Sequence, residues 1–195
     1  MPSHIIHIKI AQDINKKLRL DNDSIMLGSV LPDLTVNKDH GLSHFQYKDE
    51  YPFNLANADE FIKKYPNLKD DISIGYIIHL LTDKFYNDWY YKKYRLKGIS
   101  TTKEFKHNLF ASYDEYLLKH YQLIKFSDYN VISKIPNYKD LYFDKQSLEQ
   151  YIINYNDRIS SIKNDLNYTI ENQDELNNLY NDCLNYIFRY FNVKE

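Results

Sequence analysis

Residues 70–89, DDISIGYIIHLLTDKFYNDW, contain the helical pattern on which the fold prediction depends. Apolar side chains recur there at spacings of three and four residues, at Ile74, Ile78, Leu81 and Phe85. This spacing places them on one face of an α-helix, which has about 3.6 residues per turn. The pattern predicts a helix from about Asp70 to about Tyr94.

The same spacing recurs along the rest of the chain. Asp, Asn and Thr side chains near several helix starts can accept hydrogen bonds from the free N–H groups of a first turn. These predicted caps are Asp21 or Asp23, Asn57, and Thr101 together with Glu104. The other predicted helices cover residues 4–19, a short segment ending near Gly28, residues 57–65, residues 101–123, and two segments with apolar stripes at 148–162 and 176–191.

The connections between these helices are irregular. Pro32 restricts the residue before it and predicts an extended turn at Leu31-Pro32-Asp33, and residues 33–56 are predicted to form an irregular loop. The 195-residue chain has only four glycines and five prolines, and no run alternates as a strand would. The prediction is an all-α, single-domain irregular helical bundle that spans residues 1–195.

Charge and composition narrow the function classes. The formal net charge is -2, and acidic and basic residues are interspersed, so a nucleic-acid partner is not favoured. The single cysteine, Cys183, cannot form an intramolecular disulfide. The chain starts without a secretory signal pattern, and no apolar run approaches the roughly 20 residues of a membrane span, so a cytoplasmic location is predicted. The sequence leaves the oligomeric state open.

His79 and Asp83 form the first candidate metal-binding pair. They are four residues apart on the predicted helix, so their side chains emerge on one face, one turn apart. Gly75 lies one turn earlier on the same face, where glycine costs about 1 kcal/mol relative to alanine and indicates a close approach. The alternative is a hydrogen-bonded His–Asp pair, with Gly75 serving helix packing.

Further candidate ligands precede this helix. Asp33 follows Pro32, His44 lies in the predicted loop, and His4 and His7 are close to the start of the first helix. Imidazole and carboxylate together are typical ligands of zinc, whereas an oxygen-only set would indicate calcium or magnesium. The mixture favours zinc, with manganese or iron as alternatives.

These residues occur in an order that resembles a known family, the zinc-dependent phospholipase C and single-strand-specific zinc nuclease group. The resemblance consists of His7, Leu-Gly-Ser-Val-Leu-Pro-Asp at 27–33, Ser-His-Phe at 43–45 and Gly-Tyr-Ile-Ile-His-Leu-Leu-Thr-Asp at 75–83. It covers roughly the first half of the chain. It implies the irregular helical fold of that family, here in a short, cytoplasmic-type member whose metal ligands lie within residues 1–90.

The resemblance also implies a set of metal ligands. One zinc would be held by Asp33, His44, His79 and Asp83, and Asp83 would bridge to a second zinc bound by His7. Secreted members complete that second site with their processed first residue, which does not transfer to this chain. His4, one turn before His7, is the predicted substitute, with an exposed histidine as the alternative.

The ligand motif that binds a third zinc in secreted members is absent from this sequence. His107 and Asp114, two turns apart on one predicted helix, are weaker candidates for another ligand pair. One to three ions are therefore expected, with two favoured. His40 is interpreted as a solvated loop histidine, and Tyr76 is predicted to orient a phosphate oxygen through its hydroxyl.

The resemblance implies a phospholipase C-like, zinc-dependent phosphoric-ester hydrolase that uses metal-activated water. Asp33 is the predicted catalytic residue, since a carboxylate beside that water can accept its proton. The substrate would be a small phosphodiester or a phospholipid headgroup. The alternatives are a non-catalytic helical binding protein with a structural or regulatory zinc, and a bundle in which the same residues form hydrogen-bonded core pairs without metal.

Overall fold

The computed structural model describes residues 2–36, 39–46, 55–99, 102–161 and 173–193, and within these ranges the protein is helical, without β-strands. This confirms the all-α prediction. Thr101 and Ile162, which the sequence places in a capping box and an apolar stripe, lie outside the described residues. The helices are α1 His4–Leu18, α2 Asn22–Gly28, α3 His40–Ser43, α4 Ala58–Lys64, α5 Asp71–Tyr90, α6 Lys103–His120, α7 Lys145–Ser160 and α8 Gln173–Tyr190.

Two of the predicted caps form as expected. The Asp21 carboxylate accepts a hydrogen bond from the Ser24 N–H at the start of α2, so Asp21 rather than Asp23 is the cap. The Asn57 side chain accepts from the first turn of α4. For α6 the cap is Thr102, whose hydroxyl accepts from the Phe105 N–H. Polar caps therefore define these starts, as the local chemistry predicts.

The connections are more ordered than the sequence predicts. The predicted extended turn at Pro32 is a 3-10 turn, Leu31–Leu34, because proline is tolerated in a first helical turn, where its missing N–H is not required. The short helix α3 lies inside the segment predicted to be an irregular loop. A π-turn, Tyr91–Arg95, follows α5, and α6 ends at His120 rather than near residue 123.

The core is built around α1, α2 and α5. The apolar faces of these helices are almost fully buried, and α5 buries Tyr76, Ile78 and Leu80. The later helices α6, α7 and α8 add apolar side chains to the same cluster, including Phe110, Ile152 and Ile187. Burial of these side chains is the main force that holds the helices together.

Two glycines allow α2 and α5 to approach closely. A Cβ on Gly75 would lie 2.3 Å from the Ile25 carbonyl oxygen, and a Cβ on Gly28 would lie 2.0 Å from the Ile72 oxygen. Both separations are shorter than van der Waals contact, so neither position accepts a side chain without displacing backbone. The close approach predicted at Gly75 is therefore made by α2. Gly75 thus serves helix packing, which was the alternative interpretation of this glycine.

Among the described residues, no helix has the length and apolar character required to cross a bilayer.

Candidate metal centre

His79 and Asp83, the candidate pair on α5, belong to a buried cluster of polar side chains. His79 is fully buried and Asp83 is 1% exposed. The His79 Nε2 and the nearer Asp83 oxygen, Oδ2, are 3.7 Å apart. The spacing of four residues therefore brings both side chains to one point, as predicted.

The segment after α2 and helix α3 bring two further ligand candidates to this pair. Asp33 belongs to the 3-10 turn, and His44 directly follows α3. The His44 Nε2 lies 3.3 Å from Asp33 Oδ1, 3.3 Å from Asp83 Oδ2 and 3.1 Å from the His79 Nε2. Four side chains from three separate segments thus surround one point.

His7 reaches the opposite side of Asp83. Its Nε2 is 3.4 Å from Asp83 Oδ1, and its ring stacks on that of His79 with centroids 3.9 Å apart. Asp83 therefore contacts His7 through one oxygen and His44 through the other.

The distances between neighbouring donor atoms are close to those that zinc requires. Tetrahedral bonds of 2.0–2.2 Å separate neighbouring donors by roughly 3.3–3.6 Å. The contacts of the His44 nitrogen with its three neighbours, and of His79 with Asp83, span 3.1–3.7 Å. These four distances are close to the zinc range, and the residues present could hold a divalent cation.

The hydrogen-bond inventory supports the same interpretation. Within the part of the chain that the structure describes, both ring nitrogens of His7, both carboxylate oxygens of Asp83 and one oxygen of Asp33 are buried without a hydrogen bond of normal geometry. Buried polar atoms of this kind cost free energy unless they are hydrogen-bonded or bind a cation. A bound metal would compensate for this cost, and the His–Asp contacts of 3.3–3.4 Å around Asp83 are longer than normal hydrogen bonds.

Backbone and hydroxyl groups orient the imidazoles. The Ser29 carbonyl oxygen lies 2.8 Å from the His79 Nδ1 and accepts a hydrogen bond from its N–H. The lone pair of Nε2 is therefore directed at the cluster. The Ser43 hydroxyl lies 3.0 Å from the His44 Nδ1. Such outer contacts set the tautomer and orientation of ligating histidines.

Tyr76 has a different role from the predicted one. It is fully buried, its hydroxyl donates to the Ser43 carbonyl oxygen, and its ring stacks on Phe61 at 4.6 Å. The hydroxyl predicted to meet a phosphate oxygen thus anchors the segment that carries His44. Phe45, at φ 52° directly after His44, packs edge-on against the same Phe61 ring and holds this left-handed turn.

The charges of the cluster are strongly coupled. Burial and the neighbouring His7 lower the pKa of His79 to about 3, so that this imidazole is neutral. Burial also opposes protonation of His44, but the Asp33 and Asp83 carboxylates outweigh it and raise the pKa of His44 to about 9. Burial opposes ionisation of both carboxylates as well, yet the nearby imidazoles hold the pKa of each below its usual range. The cluster thus keeps two carboxylates ionised, which is the state that binds a cation.

A cleft of about 490 Å³ opens beside this cluster. Asp33 lies on its wall, together with His4 and His40, which approach the Asp33 carboxylate to 3.4 Å and 3.8 Å. His4 is therefore placed next to the cluster, although its contact is with Asp33 rather than with His7. Asp33 is the residue that connects the buried donors with the cleft.

The donor atoms can be grouped as two potential cation sites. His7, His79 and Asp83 form one buried trio, and Asp33, His40 and His44 form the other, each with ligand atoms within 4.8 Å of one another. The resemblance assigns His44 and His79 to the same ion, and their 3.1 Å separation allows this as well. The second trio includes His40, which the sequence indicates to be solvated.

His107 and Asp114 line the far side of the cleft, on α6. Neither belongs to either donor trio among the described residues. Asp114 accepts a hydrogen bond from the Ser3 hydroxyl and lies 3.9 Å from the Arg158 guanidinium. The structure therefore brings both residues to the cleft, but not to each other as a separate ligand pair.

Sequence reasoning does not identify three residues of this region. His40 is 52% exposed at the start of α3, the Ser29 contact uses a backbone carbonyl, and Arg158 lies 75 residues beyond Asp83, the last residue of the motifs. A backbone contact has no residue-type signal. The helical spacing of Tyr151, Asn154 and Arg158, on a face of α7 beside its apolar stripe, is the one pattern that indicates a shared surface.

Comparison of the chain with models of known protein families, with characterised proteins and with solved structures finds no significant match. The function is therefore inferred from the chemistry of the cluster and of the cleft beside it.

Proposed function

We propose that this protein is a zinc-dependent phosphoric-ester hydrolase with a fold of the phospholipase C and zinc nuclease type, located in the cytoplasm. The observation that carries the proposal is a buried cluster of carboxylates and imidazoles, several of whose atoms lack a hydrogen bond of normal geometry, that meets an open cleft at Asp33. Two zinc ions are favoured, and manganese or iron would suit the same donors. The substrate class is a small phosphodiester or a phospholipid headgroup.

The buried residues would hold the metal together with Asp33, which also faces the cleft. His7, His44, His79 and Asp83 are at most 1% exposed, whereas the Asp33 side chain is 9% exposed and lines the cleft. When bound, the metal supplies Lewis acidity to a phosphoryl oxygen and lowers the pKa of water.

Asp33 has the properties of a general base. Burial opposes ionisation of Asp33, but the surrounding imidazoles outweigh it and hold the pKa of its carboxyl well below the usual value, so it is ionised at neutral pH. One of its oxygens has no hydrogen bond of normal geometry among the described residues. That oxygen, Oδ1, is buried and faces His44, whereas Oδ2 lies 3.4 Å from His4 on the wall of the cleft. A carboxylate at this position would accept the proton of a water that attacks a phosphodiester, and no covalent intermediate is required.

A structural zinc is the second candidate function. It is favoured by the complete burial of His7, His44, His79 and Asp83, since structural zinc sites are closed and four-coordinate. The two functions differ at Asp33, which is the catalytic base in a hydrolase and only a peripheral ligand in a closed site. Asp33 therefore distinguishes them.

The test combines zinc content with turnover of bis(p-nitrophenyl) phosphate. We expect wild type to bind two zinc equivalents and to hydrolyse this ester. Asp33→Asn should lower kcat at least about a hundredfold, in line with removal of a general base, while most of the zinc is retained. His79→Ala should lose zinc, and His120→Ala, which changes a histidine outside the cluster, should match wild type.

Two other results would decide against the hydrolase. One zinc equivalent with no turnover, and an Asp33→Asn variant that is altered only in its melting temperature, would establish the structural site. Absence of zinc after reconstitution, in a folded wild-type protein, would exclude both metal-based functions.

A further inference from the structure

A second, smaller cavity, called the recess below, adjoins the cleft. It has a volume of about 150 Å³ and lies between α1 and α7, lined by His4, Ile5, Tyr151, Asn154, Tyr155 and Arg158. His4 and Arg158 line both this recess and the cleft that reaches Asp33. A molecule bound at the cluster can therefore extend one of its groups into the recess.

One residue that lines the recess, Tyr151, has a polar group that lacks a partner. The Tyr151 hydroxyl is buried and makes no hydrogen bond among the described residues. The neighbouring Tyr155 differs, because its hydroxyl donates to the Ile124 carbonyl oxygen at 3.0 Å. Burial raises the pKa of Tyr151 well above its usual value, so the hydroxyl keeps its proton and is a hydrogen-bond donor. A buried donor without an acceptor costs free energy, and an acceptor bound beside it would offset that cost.

Arg158 supplies a permanent positive charge at the same place. Its side chain is 48% exposed, and its closest ion-pair contact is to Asp114 at 3.9 Å. Charge-assisted hydrogen bonds of arginine are about 2.7–2.9 Å long, so this pairing does not use the guanidinium donors fully. Asp114 itself accepts the Ser3 hydroxyl. The planar guanidinium is suited to bind two oxygens of a phosphate or a carboxylate.

We propose that Arg158 and Tyr151 form an anion-binding subsite, and that the substrate carries a second anionic group, preferably a phosphate, in addition to the ester at the cluster. The assignment to a substrate rests on the proposed function. It selects among substrate classes, because a guanidinium beside the cleft favours an additional phosphate and disfavours a cationic headgroup such as choline. Arg158 is a positioning residue here, since it does not contact the ester.

Binding of inorganic phosphate to the full-length protein, measured by isothermal titration calorimetry, tests the subsite directly. Arg158→Gln should raise the Kd of the subsite at least about tenfold, since hydrogen bonds to charged groups are the strong ones, and Tyr151→Phe should raise it about threefold. Lys145→Gln removes an exposed cation from the same helix and should leave the Kd unchanged. His79→Ala, which disables the metal cluster, should retain the phosphate binding that depends on Arg158.

Parallel titrations with acetate distinguish a phosphate subsite from a carboxylate subsite. Weaker acetate binding that depends on Arg158 supports the phosphate preference. Acetate binding as tight as that of phosphate would overturn that preference. Equal phosphate affinity in wild type and Arg158→Gln, or no phosphate binding to wild type at all, would overturn the subsite.

A kinetic comparison separates this inference from the hydrolase proposal. For a p-nitrophenyl phosphodiester that carries a second phosphate, Arg158→Gln should raise KM at least about tenfold and leave kcat within about twofold. Bis(p-nitrophenyl) phosphate, which lacks that group, should show no change. Absence of turnover with intact phosphate binding would overturn the hydrolase alone. Normal turnover with phosphate binding that does not depend on Arg158 would overturn the subsite alone.

Discussion

Replacement of Gly75 by alanine tests how the fold positions the metal ligands. The new Cβ would lie 2.3 Å from the Ile25 carbonyl oxygen, so α2 must retreat by about 0.7 Å to restore even a 3.0 Å separation. The same movement carries the Ser29 carbonyl away from the His79 Nδ1, which it approaches to 2.8 Å. The substitution should therefore affect stability and metal binding together.

The expected loss in free energy of unfolding for Gly75→Ala follows from three contributions. Overpacking costs about 1–3 kcal/mol, loss of the Ser29 hydrogen bond costs about 1 kcal/mol, and the better helix propensity of alanine returns about 1 kcal/mol. The net loss is about 2 kcal/mol, or roughly 4–8 °C in Tm for a chain of this length.

Thermal and denaturant unfolding, each with and without zinc, measure this loss. We expect Gly75→Ala to unfold earlier than wild type in both conditions, and its zinc affinity to fall as well. Gly41→Ala is the matched control, because that glycine is exposed and its Cβ would meet only a side-chain oxygen of Asp39 at 3.2 Å. A Gly75→Ala protein with wild-type Tm and zinc affinity would refute the argument that this contact positions the cluster.

The remaining predictions concern the groups around His44. Tyr76→Phe removes the hydroxyl that donates to the Ser43 carbonyl and should destabilise the protein by about 1 kcal/mol, as measured by urea unfolding. Because the pKa of His44 is raised to about 9 by Asp33 and Asp83, zinc binding near neutral pH should release about one proton, seen as a dependence of calorimetric enthalpy on buffer ionisation. Protonated His44 stabilises the zinc-free fold fully below about pH 6.5, and this contribution is lost as the pH rises through about 9. The Tm of chelator-treated protein should therefore fall across that range more than the Tm of zinc-loaded protein; equal profiles would show that His44 is not protonated.

Much of the local structure is predictable from the sequence. The apolar spacing at Ile74, Ile78 and Leu81 predicts α5 because side chains three and four residues apart share one helical face. Asn57 predicts the start of α4 because its side chain satisfies free N–H groups of the first turn. Pro32 led to a wrong prediction, since its fixed φ suits the first turn of a 3-10 helix as well as an extended turn.

The candidate site is predictable only in part, because it combines residues of one helix with residues of distant segments. His79 and Asp83 belong to one helix, so their separation of four residues determines their proximity. Asp33 and His44 are included in the prediction because they occur in a family-like order, not because the sequence places them near α5. Tyr76 shares a helix with His79, yet its role was wrongly predicted, because its hydroxyl meets the backbone of Ser43 on another segment.

The sequence by itself determined most of the helices, the polar cap of α4 and the donor types available for a metal, because these depend on neighbours within a few residues of the chain. Only the tertiary structure decided that α2 approaches α5 at Gly28 and Gly75, that the Ser29 carbonyl orients His79, and that Arg158 reaches the cleft of Asp33. Contacts between distant segments depend on how side-chain volumes fill the core, and a difference of less than 1 Å in that packing is enough to make or break a hydrogen bond.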